Sequence, residues 1–165
     1  MDKFYYLVSQ LPLLYFDKDT FVDIDFFLEE AEKWTNTTEY NKLVSADINE
    51  TEVEDSDPEV LKEFKKYERK FRKDVAEFRK AQKEGYEYKT SLFPNNVLKE
   101  GTPLEIEKNL IKLRWNFLEG REHEHDFDLG FLIIYYLKLQ YLRRLESFEK
   151  EEGMKKFKKY TEVEL

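Results

Sequence analysis

One short cluster, His123-Glu124-His125-Asp126-x-Asp128, carries the residue types that could bind a metal ion. Zinc ligands on a helix share a face only when they lie three or four residues apart. His125 and Asp128 have that spacing, but no third ligand is obvious. Acidic residues are also favourable at a helix N-terminus, where they meet the positive end of the helix dipole. We therefore interpret the cluster as a helix start, keep a metal site as the alternative, and expect no cofactor.

The rest of the chain lacks the residue patterns of common catalytic sites. It has no cysteine, which excludes thiol catalysis, and its five scattered glycines cannot build a phosphate-binding loop. Only two histidines are present, and no nucleophile-elbow sequence accompanies them. Carboxylate pairs are frequent because 36 of the 165 residues are Asp or Glu, so they do not by themselves indicate glycosidase chemistry. We therefore predict that the protein is not an enzyme.

Charge is distributed unevenly along the chain. The formal net charge is -8, with an acidic stretch at 1–57 and a basic stretch at 58–84. The basic stretch contains a group of side chains that could bind nucleic acid: Lys65, Lys66, Arg69, Lys70, Arg72 and Lys73. A pI near 5.0 opposes that interpretation, because the field of the whole molecule would repel phosphate groups. We expect no nucleic-acid partner and predict that the acidic stretch or a protein partner neutralises the basic face.

Helix start signals recur along the chain. Asn36 and Glu39 have the spacing of a capping box, in which two side chains bind the free backbone amides at a helix start. Thr102 and Glu105 have the same spacing, with Pro103 at the first helical position. These two signals predict helices that begin at about residues 37 and 103.

A long basic helix is predicted over residues 58–84. Asp57 is expected to cap it, Pro58 to occupy its first position and Gly85 to end it. Apolar residues recur along it at steps of three and four, from Val60 to Phe78, and charged residues flank this narrow stripe. The stripe suits a helical hairpin or a coiled-coil arm.

The most hydrophobic helix is predicted from Phe127 to about Glu149, with Asp126 as its cap and Gly153 beyond its end. Its apolar residues occupy more than one side, so a single neighbouring helix cannot cover it. We predict that a partner binds the aromatic side of the C-terminal helices, formed by Trp115, Phe117, Tyr135, Tyr136 and Tyr141. The alternative is that the N-terminal segment Phe4–Phe16 folds back and covers this face.

These elements predict a mainly α protein, a helical bundle with one long helical hairpin or arm. Residues 1–57 are expected to form an acidic N-terminal helical segment and residues 58–165 a helical body, within one structural domain overall. Residues 46–57, here called the acidic link, carry six acidic residues and no basic one. Because these charges repel each other, we expect the acidic link to be mobile.

The sequence also indicates whether the chain can cross a membrane. Its longest apolar run, Phe131 to Leu137, is far shorter than the ~20 residues that span a bilayer. The first ten residues lack the pattern of a signal peptide. We expect a cytoplasmic protein with no direct membrane span.

Three stretches of the sequence resemble a known family: YYLVSQLPLL (Tyr5 to Leu14), TPLEIEKNLIKLRWNFL (Thr102 to Leu118) and FDLGFLIIYYLKLQYLRRLESFEKEEG (Phe127 to Gly153). The family is a bacterial domain of unknown function whose genes lie among those for V-type (A/V-type) ATPase subunits. It is similar in places to the helical connecting subunit that joins the central rotor of such ATPases to the membrane ring. The acidic link and the basic helix have no counterpart in this resemblance.

The resemblance implies a structural role, with ATPase subunits as partners, as an accessory or connecting component at the cytoplasmic face of the complex. No catalytic residue carries over. Two alternatives stay open. One is a helical adaptor or homodimeric coiled-coil module unrelated to the ATPase, supported by the stripe from Val60 to Phe78. The other is a small metal-binding protein or enzyme that uses His123, His125 and Asp128.

Overall fold

The structure is a computed structural model that describes residues 4–16, 18 and 22–163. This part of the chain contains seven helices and no strand, which confirms the predicted mainly α fold. The helices are α1 (Tyr5–Gln10), α2 (Ile24–Trp34), α3 (Thr37–Val44), α4 (Glu59–Glu84), α5 (Asn96–Lys99), α6 (Pro103–Glu122) and α7 (Leu129–Val163).

Both predicted capping boxes are present. The Asn36 side chain accepts a hydrogen bond from the Glu39 amide at 2.8 Å, and the Glu39 carboxylate accepts one from the Asn36 amide at 3.0 Å. Thr102 and Glu105 make the same reciprocal pair at the start of α6. Helix α4 ends at Gly85, whose φ of 81° is a left-handed conformation that suits glycine. These signals were readable from the sequence because every partner lies within a few residues.

Two predicted caps are wrong. Helix α4 begins at Glu59, and Asp57 does not cap it. The Asp57 carboxylate instead accepts hydrogen bonds from the Glu54 amide at 2.9 Å and the Lys65 ammonium at 2.8 Å. At the start of α7, Asp128 rather than Asp126 accepts the free amide of Phe131, at 2.9 Å. Asp57 therefore accepts hydrogen bonds from donors outside the helix start, and a different aspartate from the predicted one caps α7.

The last helix is longer than predicted. It continues through Gly153 to Val163, and its 35 residues correspond to about 52 Å at 1.5 Å per residue. A glycine inside a helix costs only about 1 kcal/mol, which does not stop an otherwise favourable helix. Residues beyond Phe148 are exposed where their side chains are described, so the C-terminal part of α7 is the extended arm of this fold.

Helix α7 lies at the centre of the bundle. It contacts α2, α3, α4 and α6, and four consecutive residues, Leu132 to Tyr135, are all buried. Consecutive helical residues point in different directions around the axis, so this part of α7 is covered on every side. Residues from both predicted segments, 1–57 and 58–165, share the core cluster around it.

Helix α4 lies along the body instead of projecting from it. Its apolar stripe is buried within the same chain, at Val60, Leu61, Phe64, Phe71, Val75 and Phe78. Phe71 and Val75 form a second core cluster with Phe93 and Leu110, next to the loop that follows α4. Asp74 anchors that loop by accepting hydrogen bonds from the Tyr88 hydroxyl and two backbone amides.

The acidic link, which the sequence predicts to be mobile, makes hydrogen bonds to α4 and α7. The Gln140 side chain of α7 binds the Ala46 carbonyl and the Ile48 amide, at 2.9 and 3.1 Å. Basic side chains of α4 donate to its backbone carbonyls: Lys65 to Glu52, Arg69 to Thr51, and Arg72 to Ile48. These contacts join the acidic stretch to the basic face of α4, and the Lys65–Asp57 pair adds an ion pair between opposite charges.

Lys65 and Asp57 form the most enclosed contact between the link and α4, with both side chains buried. Burial acts to raise the pKa of Asp57, but the hydrogen bonds from Lys65 and from the Glu54 amide outweigh it. The pKa of Asp57 therefore lies below its ordinary value. The carboxylate is charged at neutral pH and holds the end of the link against α4.

A helix that crosses a bilayer has to be about 20 residues long and largely apolar. No helix in the described ranges, 4–16 and 22–163, meets both conditions.

Two adjacent phenylalanines test how the N-terminal segment packs. Phe27 is fully buried and stacks on Tyr135 and Tyr136 of α7, whereas its neighbour Phe26 is 54% exposed. We predict that Phe27→Ala lowers the free energy of unfolding by about 3–5 kcal/mol, because it leaves a cavity against α7. Phe26→Ala should change it by no more than about 0.5 kcal/mol. Urea denaturation of both variants measures this, and equal losses would contradict the packing described.

Candidate functional site

Four aromatic rings form a continuous row on the surface, here called the aromatic strip. Trp34 stacks on Tyr6 with ring centres 5.8 Å apart, and Tyr6 contacts Tyr5 edge to face at 5.9 Å. Tyr5 in turn contacts Phe127 at 5.0 Å. Tyr5 is 46% exposed, Tyr6 55% and Trp34 39%. Large apolar rings that stay in water as a connected group are typical of a protein-binding surface.

The short helix α1 creates this exposure. Phe4 and Leu7 are buried in the core, so the helix presents the intervening Tyr5 and Tyr6 outward. Trp34 is the last residue of α2, and Phe127 lies just before α7. The strip therefore joins three different elements. The exposure of Tyr5 and Tyr6 could not be predicted from the sequence, because spacing alone does not show which side of α1 faces the core.

The predicted partner-binding residues lie in a different environment. Trp115, Tyr135 and Tyr141 are buried, and Phe117 and Tyr136 are half-buried. Each is packed within the chain: Phe117 stacks on Tyr67 with ring centres 4.1 Å apart, and the Trp115 indole donates to Glu119 at 2.8 Å. Burial raises the pKa of Tyr135, Tyr136 and Tyr141 above the ordinary value.

The N-terminal part of the chain covers this face, as the fold-back alternative held. Phe16 contacts the Trp115 ring edge to face at 5.8 Å. The Tyr135 hydroxyl donates to the Pro12 carbonyl at 2.7 Å. A partner that bound these aromatic residues would first have to displace the N-terminal segment. The aromatic strip needs no such displacement.

The histidine cluster is built as a helix start. His125 Nδ1 lies 2.8 Å from one Asp128 oxygen, and the other Asp128 oxygen accepts the Phe131 amide. The His125 ring also packs so closely on Gly130 that a Cβ atom there would meet it at 2.5 Å. His123 is exposed at the end of α6. Within the described residues, no group of three or more His, Cys, Asp or Glu side chains is arranged to hold a metal ion.

A buried carboxylate is the feature that sequence reasoning missed. Glu68 is almost completely buried, and its two oxygens accept hydrogen bonds from Arg72 and Arg114, each at 2.9 Å. Arg114 also lies over the Phe71 ring, 4.4 Å from its centre. The signal was present, because position 68 lies four residues after Phe64 and three before Phe71, on the apolar stripe of α4.

Comparison of the chain with family models, with curated proteins and with solved structures finds no match. The site is therefore interpreted from its own geometry.

Glu68 can be tested against a glutamate on the same helix. Glu68→Ala leaves two guanidinium groups without their carboxylate, and we predict a loss of about 3–5 kcal/mol in the free energy of unfolding. Glu63 pairs with Arg121 at 3.2 Å in a partly exposed position, so Glu63→Ala should cost no more than about 1 kcal/mol. Chemical denaturation compares the two, and a Glu68 loss as small as that of Glu63 would refute this role.

Proposed function

We propose that this protein is a non-catalytic accessory or connecting component of a bacterial V-type ATPase and that it acts by protein–protein interaction. The observation that carries the proposal is the exposed aromatic strip. Two of its members, Tyr5 and Tyr6, belong to the first stretch that resembles the ATPase-associated family, and Phe127 begins the third. The strip thus brings two of the three resembling stretches to one accessible surface.

The energetics of interfaces support this use of the strip. Aromatic side chains are enriched among the residues whose truncation costs the most binding energy, because they bury a large area with few rotatable bonds. Trp34 and Tyr6 are already stacked on each other, so little side-chain freedom remains to be lost on binding. The two tyrosine hydroxyls and the indole N–H supply hydrogen-bond groups at the rim of such an interface.

The coiled-coil alternative has lost its main support. The stripe from Val60 to Phe78 is packed against the chain's own α6 and α7 and the loop after α4, so it offers no free seam for a second helix. We propose that the protein works in the cytoplasm, at the inner face of the membrane, where the ATPase would hold it.

Co-purification with a matched pair of variants tests the proposal. The tagged protein should recover ATPase subunits from the bacterium that encodes it. In the double variant Tyr6→Ala/Trp34→Ala, affinity should fall at least about tenfold, since each truncated interface residue costs about 1–3 kcal/mol. The control is Tyr86→Ala, because Tyr86 is similarly exposed but follows the C-terminal end of α4 and is not part of the aromatic strip. It should bind like the unmodified protein.

Two results would contradict the proposal. One is recovery of intact ATPase without this protein. The other is equal recovery of subunits by the strip variant and by Tyr86→Ala, which would place the interface elsewhere. Light scattering on the purified protein distinguishes a third result. If the unmodified protein is a homodimer and the strip variant is a monomer, the strip mediates self-association.

A further inference from the structure

A polar cavity of about 320 Å³ lies beside the buried Glu68 carboxylate. Three helices and the acidic link line it, and it is open to solvent on one side: α4 contributes Glu68 and Arg72, α6 contributes Glu107 and Arg114, and α7 contributes Tyr141 and Arg144, with Ile48 and Asn49 from the link. Most of its lining is polar or charged, in contrast to the aromatic strip. The cavity is therefore suited to a small hydrophilic ligand.

Guanidinium groups dominate the charge of this cavity. Arg72, Arg114 and Arg144 face the two carboxylates of Glu68 and Glu107, which leaves a formal local charge of +1. Glu107 is also paired with Arg79 at 3.4 Å, outside the cavity lining. At short range these guanidinium groups attract an anion, although the net charge of the whole molecule is negative.

Several of the guanidinium N–H groups have no hydrogen-bond partner among the described residues and can donate to a ligand. Arg72 and Arg114 each donate a hydrogen bond from Nε to the Glu68 carboxylate. Arg72 also donates one from a terminal nitrogen to the Ile48 carbonyl. Arg144 packs on the Phe148 ring and, within the described part of the chain, has no carboxylate partner. Guanidinium groups match the geometry of oxyanions because their N–H donors form a rigid fork.

Tyr141 supplies the second and independent indication of a ligand. Its side chain is buried and its hydroxyl has no hydrogen-bond partner among the described residues, although it lines a polar cavity. Burial raises the pKa of Tyr141, so the group is a neutral hydroxyl that can donate. Buried polar groups almost always have a partner, and an orphaned one calls for an explanation. A ligand oxygen in the cavity would provide that partner.

We propose that this cavity binds a small tetrahedral oxyanion of the phosphate type. Its oxygens would accept hydrogen bonds from Arg144, from the remaining N–H groups of Arg72 and Arg114, and from the Tyr141 hydroxyl. These donors come from three helices, α4, α6 and α7, and guanidinium groups are well suited to bind phosphate oxygens. The site lies apart from the aromatic strip and does not depend on the ATPase association.

Calorimetric titration of the full-length protein with inorganic phosphate tests this site. Sodium chloride holds the ionic strength constant, so that general screening does not mimic binding. We expect one saturable site with a Kd of about 1 mM or lower. Arg144→Gln should weaken binding about tenfold or more, as for the loss of a charged hydrogen bond. The matched control is Arg143→Gln, which removes the same charge from the neighbouring position outside the cavity and should leave affinity unchanged.

Tyr141→Phe provides a readout that a purely structural role would not give. Removal of an orphaned hydroxyl should leave the melting temperature in phosphate-free buffer unchanged or raised, while phosphate affinity falls. Melting temperatures also confirm that each variant is folded. Absence of saturable heat with the unmodified protein would overturn the proposal. So would equal weakening by Arg143→Gln and Arg144→Gln, because that result indicates only diffuse charge attraction.

Discussion

Helix α7 has to be covered on all sides, and the rest of the fold follows from that requirement. Four consecutive residues, Leu132 to Tyr135, are buried, so α7 needs neighbours in every direction. Helices α4 and α6 cover part of it, and the N-terminal elements cover the remainder. Phe27 stacks on two tyrosines of α7, and the Tyr135 hydroxyl reaches back to the Pro12 carbonyl. The aromatic residues that the sequence predicted to bind a partner are packed inside the chain instead.

Covering α7 in this way places charged groups in the interior and exposed rings outside. Helix α4 brings Glu68 into the core, where guanidinium groups from α4 and α6 must accompany it because an unpaired buried carboxylate is very costly. Basic side chains of α4 also hold the acidic link against this helix. At the surface, Tyr5 and Tyr6 point outward because Phe4 and Leu7 of the same segment are buried in the core. The aromatic strip is thus a consequence of how α1 packs.

Features that depend on neighbouring residues were predictable from the sequence, and features that depend on distant partners were not. The capping boxes at Asn36 and Thr102 were correct because each needs only four residues. Asp57 was assigned to a local cap, but Lys65, a full two turns along α4, binds it. Glu68 pairs with an arginine 46 residues away, and no local pattern indicates that pairing. Whether the chain or a partner covers α7 also stayed open, because apolar area alone does not identify what covers it.

Fluorescence of Trp115 tests most directly whether the N-terminal segment covers this face in the isolated protein. The chain has two tryptophans, so Trp34→Phe, which changes an exposed position, leaves Trp115 as the only tryptophan, and excitation selective for tryptophan leaves the tyrosines silent. Because Trp115 is fully buried beneath Phe16, its emission should lie at short wavelength, and acrylamide should quench it several-fold less than in the same variant unfolded in urea. Quenching in buffer as efficient as in urea, with emission at the wavelength of the unfolded chain, would contradict the account.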